Sequence, residues 1–96
     1  MKARDPTTIE IRLSGRVPRE QLVALCDRVG ALLIGGVEHV VCDVEDLFAD
    51  AVAVDALARL VVTARRAGAD LRICNPCSSL TELLELVALA DVVREV

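Results

Sequence analysis

Polar and apolar residues alternate from Thr8 to Leu13, with Ile9, Ile11 and Leu13 on one side and Thr8, Glu10 and Arg12 on the other. That is the period of a strand buried on one face. From Pro18 to Leu33 the spacing changes, and Leu22, Leu25, Cys26, Val29, Leu32 and Leu33 recur at three and four residues, which predicts an amphipathic helix ended by Gly35 and Gly36. Val37 to Val44 carries Val40, Val41 and Cys42 in succession. A strand without a simple wet face belongs at the centre of a sheet.

A second helix is predicted from Ala51 to Ala67, where Val54, Leu57, Ala58, Leu60, Val61 and Ala64 form one stripe. Asp50 is placed to cap its start and Gly68 to close its end. Leu71 and Ile73 alternate with Arg72 and Cys74 in a third strand. Ser79 and Glu82 then have the spacing of a capping box ahead of Leu80, Leu83, Leu84 and Val87. That third helix should run to about Leu89.

The order strand, helix, strand, helix, strand, helix predicts an α/β fold with a predominantly parallel sheet, because parallel neighbours need right-handed helical crossovers. If the strands lie in sequence order, the helices fall mainly on one face. Glu10, Arg12 and Arg72 would then line the other, where pairing of two copies into a homodimer stays open. Ninety-six residues suffice for a single domain, 1–96, with a core at 8–93 and short tails at 1–7 and 94–96.

Apolar residues make up 54% of the chain, yet Phe48 is the sole aromatic. The core must therefore pack from Leu, Val, Ile and Ala. A net charge of −4 and the missing stacking platforms argue against nucleic acid as a partner. Apolar runs are too short to enter a bilayer, and no apolar stretch follows Lys2 and Arg4 as a secretory leader would require, so the expected location is cytoplasmic. Four cysteines in that compartment are expected as reduced thiols.

Val40-Val41-Cys42-Asp43-Val44, the acidic loop behind it, Asp50 at a helix start, Val54-Asp55-Ala56-Leu57-Ala58-Arg59-Leu60, Ala64-Arg65-Arg66-Ala67-Gly68 and Leu71-Arg72-Ile73 together resemble the STAS domain. Leu83 to Val93 is similar to that family's closing segment. The resemblance spans about Ile9 to Val93 and implies a β-α superhelix. It also implies a non-enzymatic, bacterial, cytoplasmic module of transcription regulation that binds an anti-sigma factor, often a serine kinase. In the family a phosphate on a Ser or Thr at the start of the second long helix switches that binding off. Here the matching position is Ala51, Val52 or Ala53, and no Ser or Thr lies between Ser14 and Thr63. This chain is therefore expected to be non-phosphorylatable there, with docking that is constitutive or regulated elsewhere.

The partner-binding residues this implies are Asp46, Asp50, Ala51, Val52, Ala53, Asp55, Ala56 and Arg59. Within them, Ala53 and Ala56 are expected near the contact, and Asp43, Glu45, Asp46, Asp50 and Asp55 form either a steering surface or a solvated loop with Asp55 paired to Arg59. A soluble accessory subunit of a membrane transporter, for lipid or anion transport, is the alternative role. Cys74-Asn75-Pro76-Cys77 is a CxxC between strand and helix, which opens a third reading as a thiol oxidoreductase, but no aromatic flanks it. Cys26 and Cys42 read as core residues, and the single His39 as a strand-end histidine. No cofactor or metal ligand set emerges.

Overall fold

The computed structural model describes residues 7–87, 89 and 92. Strand β1 (Thr8–Arg12) leads through a 3-10 turn (Arg19–Gln21) into helix α1 (Leu22–Leu32). Strand β2 (His39–Asp43), helix α2 (Ala51–Arg66), strand β3 (Asp70–Cys74) and helix α3 (Ser78–Leu86) follow. The strands pair in parallel in the order β1-β2-β3, so β2 is central as its apolar run predicts.

The register explains which residues face the helices. Ile9, Val40 and Leu71 form one row and Ile11, Cys42 and Ile73 another; the intervening rows are Thr8-His39-Asp70, Glu10-Val41-Arg72 and Arg12-Asp43-Cys74. Because side chains alternate across a strand, the first two rows share a face. They pack with Val29, Leu33, Leu57, Leu60, Val61, Leu80 and Leu84 in one core, while Glu10, Arg12 and Arg72 are exposed on the other side. Val41 lies half-buried among them. The apolar run at β2 thus divides between the two faces.

Helix α2 is the centre of the helical layer. Ala53, Ala56, Leu57, Leu60 and Ala64 are fully buried along it, and its start is fixed by Asp50, whose Oδ1 accepts from the Ala53 N–H at 2.8 Å. Gly68 follows its C-terminus at φ 78°, a left-handed conformation that a Cβ disfavours.

Several expectations need correction. Leu32 is exposed, because α1 gives way to a turn at Leu33 that carries Leu33 inward instead. Helix α3 begins after Cys77, with no side-chain cap, so Ser79 lies inside the helix and the Ser79–Glu82 capping box does not form. The helix also ends at Leu86, three residues short of Leu89, and Val87 is exposed. Beyond it Val92 is buried in the core cluster, and at the other end the Thr7 carbonyl accepts from the Glu38 and His39 N–H groups at 2.8 and 3.1 Å. The expected tail residues at 1–6 and 94–96 lie outside the described residues.

Candidate functional site

The loops at the carboxyl end of a parallel sheet are where α/β folds present their working residues. Here the loop behind β1 is joined to the loop behind β2 by backbone hydrogen bonds. The Leu13 N–H donates to Asp43 O at 3.0 Å, the Gly15 N–H to Asp46 O at 2.8 Å, and the Phe48 N–H to Gly15 O at 2.8 Å. Gly15 makes these bonds at φ 71°, so glycine suits the position. Leu47 turns inward and is buried, which leaves Phe48 outside. The Arg16 guanidinium lies over the Phe48 ring, 4.1 Å from its centroid, a cation–π contact.

Asp43 joins all three strand ends. Its carboxylate accepts from the Glu45 N–H at 3.0 Å, Asn75 Nδ2 at 3.3 Å and Arg12 Nη2 at 3.3 Å. These donors, the Glu45 N–H foremost, then Asn75 and Arg12, hold its carboxyl below the usual carboxylate range. Asn75 makes its bond from φ 60°, the left-handed region that asparagine tolerates better than most residues.

The residues expected to form a contact divide by exposure. Asp46, Ala51 and Arg59 are exposed, and Asp50, Val52 and Asp55 are half-buried, all around the start of α2. Ala53 and Ala56 are not available, since both are fully buried. Ala53 packs within the core cluster under the sheet, and Ala56 is enclosed beside it in the interior, where small residues let the helix approach its neighbours closely. The acidic cluster is also largely neutralised. Asp55 is 3.0 Å from Arg59 and 3.7 Å from Arg19, and Arg16 lies 4.0 Å from Asp50. Such exposed pairs are worth at most about 1 kcal/mol each, but they leave Glu45 and Asp46 as the carboxylates of the loop without an ion-pair partner among the described residues.

One apolar surface adjoins the site and was not legible as such. Val54, Ala58, Leu83 and Leu86 line an open groove of about 450 Å³ between α2 and α3, with Ala51 and Asp55 at its rim. Leu86 is 81% exposed, so an apolar face remains uncovered. Its sequence signal is the surplus of leucines in Leu80 to Leu86, more than one helical stripe can bury.

The cysteines are all free thiols. Cys42 is fully buried, and that burial, with Cys74 and Asp43 close by, pushes its thiol up to about 12. Cys74 is buried at the end of β3, Cys77 is exposed in front of α3, and Cys26, expected in the core, is half-buried at a groove between α1 and α2. His39 is exposed at the start of β2. Among the described residues no group of three or more His, Cys, Asp or Glu is placed to hold a metal ion, and no helix is long and apolar enough to cross a membrane.

Comparison with known proteins decides the family, for the STAS domain model matches residues 4–96. The chain belongs to the STAS family. The anti-sigma factor antagonist SpoIIAA in its unphosphorylated form is a solved structure with the same fold, at a TM-score of 0.78 over 99% of this chain and 84% of that one. The two are 15% identical. No curated protein matches the sequence. As a STAS domain, the chain has the parallel sheet and helical layer that its sequence predicts.

Proposed function

We propose that this STAS domain works by docking onto a regulatory protein, an anti-sigma factor or serine kinase, through the start of α2 and the groove beside it. The observation that carries this reading is the exposed corner itself. Phe48 and Ala51 are exposed and Val52 half-buried around the start of α2; Ala51 also lines the α2–α3 groove, and the Phe48 backbone is held by Gly15 in the loop behind β1. A rigid apolar patch with charged residues at its rim has the composition of a protein interface. The fold shared with an anti-sigma factor antagonist supports the choice of partner.

The first turn of α2 offers Ala51, Val52 and Ala53 where the family's phosphoacceptor is expected. No hydroxyl is present to take a phosphate, so binding is not switched off from this position. The non-enzymatic reading has the same support, since the corner presents apolar contact surface and paired charges.

The test is affinity capture from the native cytoplasm with the intact chain, followed by calorimetry against the kinase or anti-sigma factor recovered. Ala51→Glu, at an exposed position, should weaken binding by about tenfold or more, as expected for a charge introduced into an apolar contact. Equal affinity of Ala51→Glu and the unmodified chain would remove the corner as the docking site. Capture of transporter subunits alone would favour the accessory-subunit role instead.

A further inference from the structure

Arg12, Arg16 and Arg28 come from the end of β1, the loop behind it and the second half of α1, yet they line one cleft of about 240 Å³ with Ser14 and Gln21. No carboxylate lines it. In a chain of net charge −4, three guanidiniums converge here, and although Asp43 lies 3.3 Å from Arg12 and Asp50 4.0 Å from Arg16, Arg28 leaves the cleft with a local positive excess.

Two of the three are held in place without using up their donors. Arg12 gives one hydrogen bond, at 3.3 Å, to Asp43. The Arg16 guanidinium lies over the Phe48 ring, and Asp50 at 4.0 Å is beyond hydrogen-bond reach. Each guanidinium has five N–H donors, so most remain open. Arg28 is exposed on α1 and has no ion-pair or hydrogen-bond partner among the described residues. The Ser14 hydroxyl and Gln21 amide add neutral donors.

A carboxylate is satisfied by one arginine fork, whereas a tetrahedral dianion can accept from several at once. We propose that this cleft binds a small phosphate dianion, either inorganic phosphate or a phosphomonoester. The site is separate from the α2–α3 groove and its occupancy is measured on the isolated chain, so it does not depend on the docking reading. Because the three arginines are exposed and solvent screens their charge, the affinity should be weak, with Kd on the order of 1 mM.

The test is a titration of the intact chain followed by amide and aromatic NMR shifts, at constant ionic strength with chloride as the exchanged anion. One arm uses inorganic phosphate and the other phenyl phosphate. Saturable shifts are expected at residues 14–17 and 21–28 and at the Phe48 ring, which reports on Arg16. Equal affinities would mark a site for free phosphate, and a tighter ester a site for a phosphorylated small molecule. Arg28→Ala should weaken binding about tenfold, the scale of one charge-assisted hydrogen bond, while Arg65→Ala, exposed on α2 and outside the cleft, should leave it unchanged. Shifts that never saturate, or equal losses in the two variants, would overturn the proposal.

Discussion

Asn75 Nδ2 donates to Asp43 Oδ1 at 3.3 Å from a backbone at φ 60°, so the loop behind β3 is tied to the end of the central strand by a residue in left-handed conformation. The same carboxylate accepts from Glu45 and Arg12. One side chain thereby gathers the ends of β1, β2 and β3.

The backbone conformation and the hydrogen bond at Asn75 are separable. Asn75→Ala loses the amide and places a Cβ at positive φ, which should destabilise the chain by about 1–2 kcal/mol. Asn75→Gly loses the same hydrogen bond but removes the steric cost, and should recover about half of that loss. Urea unfolding midpoints check the order; a glycine variant no better than alanine would show that the hydrogen bond alone matters.

The Asp43 carboxyl titrates below its usual range, so its unfolded value, about 3.9, is the higher of the two. Its stabilising contribution is then complete above about pH 4 and is lost as pH falls through the folded value. Urea midpoints measured from pH 5 to pH 2 should fall for the unmodified chain and fall less for Asp43→Asn. Parallel curves would mean that other carboxylates govern the acid limb.

Ala53 is fully buried and its N–H is held by Asp50. Ala53→Glu should therefore cost more than about 3 kcal/mol through a buried, unpaired charge, and loss of amide dispersion would show it. Ala51→Glu, two residues earlier and exposed, should melt within a few degrees of the unmodified chain. Any binding defect in Ala53→Glu is thus a folding defect.

The thiols should separate by accessibility. At pH 8, Cys77 is expected to react with a disulfide reagent within seconds to minutes, whereas Cys42, buried and raised to about 12, should react only at the rate of opening. Mass spectrometry of the partially labelled chain gives the order; early labelling of Cys42 would contradict its burial.

Leu57 is fully buried in the middle of α2. Leu57→Ala should destabilise the domain by about 2–5 kcal/mol, measured by thermal and urea unfolding. A loss under 1 kcal/mol would mean that the aliphatic core closes over the gap.

Periodicity was sufficient for the elements because each has a clean signal: alternation in Thr8 to Leu13, a stripe with a cap in α2, and a continuous apolar run where a strand lies between two others. It was less informative wherever two faces of a helix are both apolar. Ala53 and Ala56 fall outside the stripe read along α2 and are expected near the contact from the resemblance alone, yet both are buried, since close packing of a helix selects small residues. The Ser79–Glu82 spacing resembles a cap, but the last extended residue before α3 is Cys77, at φ −70° and ψ 167°, so Ser79 already lies in the first helical turn. Phe48 and Arg16 are 32 residues apart, and only the backbone bonds between the two loops bring them together.

The Gly15 and Phe48 bonds hold the corner through main-chain atoms alone. Residues 46 and 48 can therefore change identity without loss of these bonds, while the start of α2 stays fixed by the Asp50 carboxylate. Side-chain exchange there alters what the corner presents to its surroundings and leaves its backbone architecture as it was.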